Sequence, residues 1–598
     1  MHDLVHDLAQ SIMGDECRLR TYTFPDRVVS WLSFEFTKFS SFRVLDASGT
    51  YAKQLSPSIG SLKHLRCLNL SRTHICTLPK AICDLWNLQI LNSHRLSISQ
   101  ELTCLKTLSF FVVGKLKGCQ LSELKDLDLG GQLRVENLER VGNLMDAQRV
   151  NFIGKPNLRH LDLSWESGCE LRENVEQVLE GLKRHPNLER LGIRNYNGTH
   201  FPLWMGDSIL RNLSDITLSN CPNCLQLLPL GQLPSLRWLS MDTMNALEYI
   251  DNEFHGRAAA TRRFLSLEVL KIGGLLNLTG LFKDERIELF PRLHKMRITN
   301  CPKLMLPCLP SLKELRIVNC SEVLLSSISN LSTLISLDVV FDNHAVVSFP
   351  EKMLQNLTVL ETLKIRGYTK LKVLPKTLAN LISLKSIDID DCPKLESLLE
   401  QSLPQSLQRL KIERCHELKS VSLQHLSGLE TFDSFWGPEL RSLPASLISL
   451  NVIGFVSFPV LQNLTALESL KIEPFNKLQV LPTALANLTS LKSLHISSCS
   501  ELESLPEQGL RGLQSLRRLE IINCCKLKSL SEGLQHLIVL EKLIVSSCPK
   551  LGSLPAGIQS LTKLHLDIYS CPELARRCEK GKGEDWYKIA HLPPVYIR

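Results

Sequence analysis

A chain of 598 residues exceeds the length at which a single hydrophobic core stops growing, so it holds several globular domains or one quasi-linear array. Its 44% hydrophobic residues rest mainly on leucine, with only 6% aromatics, which points to repetition rather than to varied cores. Lys plus Arg exceed Asp plus Glu by 69 − 61 = +8, a small excess without a basic block, so nucleic acid is not an expected partner.

At the N-terminus, apolar residues at Met1, Leu4, Val5, Leu8, Ala9 and Ile12 have the spacing of one helix face. His2 and His6 stand four apart, but with no third ligand in view no metal is expected. Met1 is followed by His2 and Asp3 rather than by a basic and then apolar run, so a signal peptide is not expected. No run of about 18 apolar residues is present, and no membrane span is expected.

Further along, one frame recurs. It stands at Leu65-Leu68-Leu70, Leu158-Leu161-Leu163, Leu188-Leu191-Ile193, Leu213-Ile216-Leu218, Leu236-Leu239-Met241, Leu267-Leu270-Ile272 and Leu312-Leu315-Ile317. It returns at Leu360-Leu363-Ile365, Leu384-Ile387-Ile389, Leu407-Leu410-Ile412, Leu447-Leu450-Val452, Leu467-Leu470-Ile472, Leu491-Leu494-Ile496, Leu516-Leu519-Ile521 and Leu540-Leu543-Val545. A period of about 24 residues over roughly twenty-two units is a repeat signature. The last two apolar positions lie two apart and so share one face of a short strand. No unit can bury them alone, so neighbouring strands must stack into a parallel sheet. The expected fold is an α/β solenoid of leucine-rich repeats. Such a horseshoe has a continuous parallel sheet on its concave face and irregular or short helical returns on its convex side.

Cys221, Cys301, Cys320, Cys392, Cys415, Cys499, Cys524, Cys548 and Cys571 each follow a strand's last apolar position by three residues. There a thiol serves as a small inward hydrophobe and weak donor, expected to reach backbone carbonyls of the neighbouring coil. This accounts for the cysteines without a disulfide framework and suits a reducing compartment. It also gives Cys221-x-x-Cys224 a structural use rather than a zinc site. Leu-Pro steps such as Leu78-Pro79, Leu374-Pro375, Leu481-Pro482, Leu505-Pro506 and Leu554-Pro555 fit the irregular return.

The period weakens over 92–157, where Leu105-Leu108-Phe110 and Leu124-Leu127-Leu129 are the best frames. An insert near 251–263 is expected to loop out. Around Phe432 and Leu450 the units shorten. The organisation predicted is 1–22 as a helix outside the array, 23–41 as transition, 42–575 as the array and 576–598 as a tail.

Recognition in a solenoid uses the strand positions that alternate with the buried ones. In the C-terminal half these include Lys364, Arg366, Asp388, Asp390, Lys411, Glu413, Lys471, Glu473, His495, Glu520 and Tyr569. Their signs alternate, which favours a protein with matching patches over a polyanion. No catalytic constellation is present: there is no Ser/His/Asp grouping and no HExxH, so an enzyme is not expected.

The words at both ends carry a family resemblance. Met1-His2-Asp3-Leu4-Val5-His6-Asp7-Leu8-Ala9 resembles the MHD motif that closes the nucleotide-binding module of plant intracellular disease-resistance proteins of the coiled-coil, nucleotide-binding, leucine-rich-repeat type. Cys571-Pro572-Glu573-Leu574, Gly583-Glu584-Asp585-Trp586 and Lys588-Ile589-Ala590-His591 resemble that family's C-terminal signature. So do Phe201-Pro202-Leu203-Trp204-Met205 and the repeated Cys-Pro-Lys-Leu at 301–304, 392–395 and 548–551.

The resemblance implies that His2 contacts an ADP phosphate, with Asp3 supporting it, and that 1–22 is a remnant of the nucleotide-binding module. The chain has no GxxxxGK[ST] loop, so no cofactor and no ATPase activity are expected of it. ADP or ATP would belong to an upstream module. The function implied is a cytoplasmic or nucleocytoplasmic recognition scaffold in plant defence, sensing a pathogen effector or a modified host protein and contacting the receptor's nucleotide-binding module. The chain would be a truncated receptor or a partial gene model. The alternative is a stand-alone repeat protein that acts as adaptor or decoy. A ubiquitin-ligase adaptor would need an F-box before residue 40, and a secreted ectodomain would need a leader and glycans at sites such as Asn463 and Asn487.

Overall fold

The computed structural model describes residues 21–24, 36–38, 41–75, 78–92, 105–114, 119–168, 174–207, 209–227, 230–251, 262–282, 288–319, 321–341, 350–398, 402–436, 439–454, 461, 463–474, 478–593 and 595–597. It divides into two compact units, Met1–Ser311 and Leu312–Arg598. His2, Asp3, Cys320 and most of the 251–263 insert lie outside the described residues.

In the first unit, Thr21–Thr23, Val44–Asp46, Cys67–Asn69, Ile90–Asn92 and Thr107–Leu108 pair in parallel, in chain order. A second parallel ladder starts at Phe110–Val112 and Gly131–Glu136. It continues through Leu158–Ser164, Arg190–Arg194, Asp215–Ser219, Trp238–Asp242, Val269–Gly273 and Lys295–Thr299. Parallel pairing thus begins at Thr21, ahead of the first clear frame in the sequence.

The second unit repeats the plan from Glu314–Val318 to His565–Tyr569, and Tyr596–Ile597 adds a final short strand beside Asp567 and Ile568. Its register is uniform. Leu363 faces Ile387, which faces Leu410, then Phe432, Leu450, Leu470, Leu494, Leu519 and Leu543. All of these are buried. The shortened units at Phe432 and Leu450 keep this register, so the residues they lack come from the return and not from the strand.

A feature that the leucine frame does not announce closes the strands. The residue after the fifth strand position is left-handed at Asn195, Asn220, Thr243, Asn300, Asn319, Asp391, Arg414, Trp436, Ser498, Asn523, Ser547 and Ser570, and at glycines 274, 367 and 454. Its N–H then donates to the last strand carbonyl of the next coil, as from Asn220 to Asp242 at 2.8 Å and from Ser498 to Ile522 at 2.8 Å. Asn, Ser, Asp and Gly are common here because short polar side chains and glycine tolerate positive φ best.

That turn delivers the next residue inward. Cys221, Cys301, Cys392, Cys415, Cys499, Cys524, Cys548 and Cys571 are buried. The partner differs from expectation. Each thiol donates chiefly to the carbonyl two residues before it on its own coil, for example Cys301 to Thr299 at 3.4 Å and Cys415 to Glu413 at 3.3 Å. Cys548 and Cys571 also reach carbonyls of a neighbouring coil, at the longer distances of 4.0 and 3.9 Å. The turn holds Sγ over its own strand end, so the neighbour's carbonyl is the farther one. Burial pushes the Cys221 and Cys224 thiols up to about 12, which keeps both protonated inside the core.

The Leu-Pro steps begin short helical turns on the return: Pro79, Pro375, Pro482 and Pro555 precede 3₁₀ turns, and Pro506 precedes the α-turn Glu507–Arg511. One predicted frame is displaced. Leu124 lies in the 3₁₀ turn Leu121–Leu124, and the strand is Gly131–Glu136, whose inward residues are Leu133 and Val135; Leu129 is buried ahead of that strand rather than in it.

At the C-terminus, Asp585 acts as a buried clasp. Its carboxylate accepts from Leu554 N–H at 3.0 Å and Arg577 Nε at 3.2 Å, and lies 2.9 Å from Lys588 Nζ. Lys588 in turn donates to the Leu554 carbonyl at 2.6 Å. The tail is thereby held against the coil of Leu554.

Leu494 is fully buried between Leu470 and Leu519. Replacing it with Asp buries an unpaired carboxylate and is expected to destabilise the second unit by several kcal/mol, on the order of 4. A purified Leu494→Asp variant whose thermal melt matches the parent would refute this register.

Candidate functional site

Strand positions that alternate with the buried leucines form the open face of each sheet. In the second unit the register sets Lys364 beside Asp388 and Asp388 beside Lys411; one step over, Arg366 stands beside Asp390 and Asp390 beside Glu413. Strands about 4.8 Å apart bring such neighbours into ion-pair range.

The candidate residues are largely spent on one another. Arg366 lies 3.3 Å from Asp388, and Lys411 lies 3.0 Å from Glu413 while facing the Phe435 ring at 5.4 Å. Three groups missing from the sequence-based set, Asp338, Arg316 and Arg414, complete this cluster. Asp338 sits between Arg316 at 3.2 Å and Arg366 at 3.9 Å, and Arg414 holds Asp390 at 2.5 Å. Burial pushes the Asp390 carboxyl above its ordinary pKa. Arg414 opposes that, and Glu413, Asp388 and Asp391 crowd it further upward.

A second cluster spans three strands. His495 Nε2 is 2.8 Å from Glu473 and its Nδ1 is 2.6 Å from Glu520. Lys471 approaches Glu473 at 3.2 Å, and Arg518 pairs with Glu520. The His495 and Glu520 side chains are only 19% and 13% exposed, so this cluster is a packed plate rather than a set of free charges. Among the described residues, Lys364 and Tyr569 enter neither cluster.

Between the clusters the face carries one carboxylate, Asp433, among uncharged residues. Asn451 donates to Asp433, Phe435 stands beside Ile453, and Trp436 is exposed.

The first unit carries a feature outside the sequence-based set, a hollow of about 790 Å³ on its open face. Its floor includes Gly192 and Thr217, and its rim includes Arg134, His160, Arg190, Arg194, Asp215 and Trp238. The small residues at Gly192, Thr217 and Ser240, central outward positions on three successive strands, are the signal that was available.

Stacked parallel strands, left-handed strand ends and short helical returns define a leucine-rich-repeat protein. The solved structure of TLR13 in its complex with ssRNA13 has the same fold, with a TM-score of 0.53 at 18% identity over 96% of this chain and 91% of that one. A family model described as R13L1/DRL21 LRRs matches residues 121–244.

The chain is homologous to plant disease-resistance proteins. It is 34% identical to disease resistance protein RGA2 of Solanum bulbocastanum, over 64% of this chain and 42% of that protein. RGA1 of the same species is 34% identical over 63% of this chain and 43% of its own length. RPP13-like protein 1 of Arabidopsis thaliana is 31% identical over 63% and 41%. The chain spans about two fifths of the length of these curated relatives. No helix among the described residues is long and apolar enough to cross a membrane.

The second cluster has a pH signature. Burial pushes the Glu520 carboxyl up, but hydrogen bonds from His495 and Arg518 outweigh it and hold its pKa below the ordinary value. Such a carboxyl stabilises the fold above its unfolded pKa of about 4.3, and the contribution fades as pH falls toward the folded one. The melting-temperature gap between the parent and Glu520→Gln should be widest near pH 6 and close below about pH 4. A gap that stays constant from pH 6 to 3 would contradict the assignment.

Proposed function

We propose that this chain is the recognition region of a plant immune receptor and that the open face of its second unit binds a protein: a pathogen effector or a host protein altered by one. Homology to disease-resistance proteins supports the defence role. The alternating charge clusters on a rigid sheet carry the recognition part, because fixed, paired charges select a partner by electrostatic pattern. A standard interface covers only about 800 Å² per partner, so a few neighbouring coils suffice.

The chain performs no chemistry in this reading. A nucleotide would be held by a nucleotide-binding module against which the array rests, with His2 and Asp3 at that boundary. The setting is cytoplasmic or nucleocytoplasmic. The buried thiols, none of them paired in a disulfide among the described residues, suit a reducing compartment.

A charge swap separates recognition from folding. Arg366→Asp combined with Asp388→Arg keeps the ion pair but inverts the pattern presented to a partner. The swap, which also gives up the contact between Arg366 and Asp338, should lower the melting temperature by only a few degrees and cut retention of the partner from infected leaf extract by about tenfold or more, the scale of mispaired charges at an interface. Retention of the same protein by parent and swap alike would sink this reading.

A further inference from the structure

The hollow in the first unit has a composition unlike the second unit's face. Three guanidinium groups, of Arg134, Arg190 and Arg194, turn toward one space. Arg190 keeps a long 3.8 Å contact with Asp215, and Arg134 approaches Glu136 at 3.3 Å. Arg194 has no ion-pair partner among the described residues, whereas Arg316, Arg366, Arg414 and Arg518 on the second unit's face all have one.

Gly192 leaves space at the floor of the hollow, and the Asp162 carboxylate enters it. An added Cβ there would lie 1.8 Å from Asp162 Oδ1, so the Asp162 carboxylate leans across the space a side chain would fill. Asn69, Asn92 and Gln132 also line the hollow, and each amide offers both a donor and an acceptor, the pair of functions a peptide group needs.

We propose that this hollow binds a short peptide segment of a partner protein through one carboxylate side chain, held by Arg194 and Arg190, with the peptide backbone on the amides. The volume lies within the range of ligand sites, about 300–1,000 Å³. A polyanion does not fit, because Asp162 and Asp215 share the lining and would face its other charges. Guanidinium groups match carboxylates in a planar, two-point manner, which lysine does not. This goes beyond the second unit's face and is tested by different residues.

The test uses the purified full chain on an array of acetylated, amidated hexapeptides, each carrying one Glu, and on the matched Gln array. The parent should prefer the Glu members by about tenfold, the factor that one charge-assisted hydrogen bond supplies. Arg194→Ala should lose that preference. Gly192→Leu, whose backbone needs no positive φ, should lose binding to both arrays by filling the floor. Arg194→Ala should melt with the parent, Gly192→Leu should still melt cooperatively within a few degrees of it once the Asp162 carboxylate swings aside, and the Arg366/Asp388 swap should bind the array unchanged. Equal binding of Glu and Gln members, a preference that survives both variants, or displacement of the peptides by a short single-stranded RNA would each overturn the proposal.

Discussion

No coil of this chain can bury its own leucines. A strand such as Ser493–Ser497 turns Leu494 and Ile496 inward, and both are covered only because Leu470 and Leu519 lie on either side in the same register. Burying one leucine contributes about 1.5–3 kcal/mol, less than the backbone entropy of ordering the coil that carries it, so stability exists only across the stack. The left-handed strand ends follow from this need. They swing the chain off the sheet at a fixed point and donate an N–H to the next coil, so the register is locked by polar bonds as well as by leucines. The inward cysteine one residue later fills the corner thus made and keeps its thiol on its own strand end.

Because the core fixes the strands, the open face is free to vary in content but not in spacing. The two units use that freedom differently. In the second, charged side chains from adjacent strands meet and neutralise one another, leaving a nearly flat plate broken by Phe435, Trp436 and Ile453. In the first, a glycine and small polar residues lower the floor while arginines stay on the rim, and the result is a hollow. A difference of one outward side chain per strand separates a plate from a pit.

Much of the fold was legible because the leucine frame is dictated by strand geometry, and geometry repeats. It failed where leucines serve the return rather than the strand. Leu124, Leu127 and Leu129 mimic the frame, yet the strand lies at Gly131–Glu136, where Leu133 and Val135 face in. The first strand, Thr21–Thr23, and the last, Tyr596–Ile597, are two or three residues long and too short to carry a period. The candidate face was legible as positions but not as states. Alternation identified Arg366, Asp388, Glu473, His495 and Glu520 as outward, while their mutual pairing depends on which residue stands beside which across the ladder. Asp338 and Arg518 escaped notice for the same reason, and the hollow escaped because an absent side chain leaves no motif. Homology to disease-resistance proteins, by contrast, was readable from short words at the chain's ends and along the array.

The interlocking of charges between coils has a consequence for how such a surface can change. A substitution at Asp388 does not alter one letter of the face, because it releases Arg366, which then leans toward Asp338 or toward solvent. His495 is tied in the same way to carboxylates on both flanks. The vocabulary of this surface is therefore made of dyads and triads, and a single mutation rewrites a whole syllable. Diversification of the plate proceeds in jumps, whereas the core beneath it, which senses only leucines, registers no change at all.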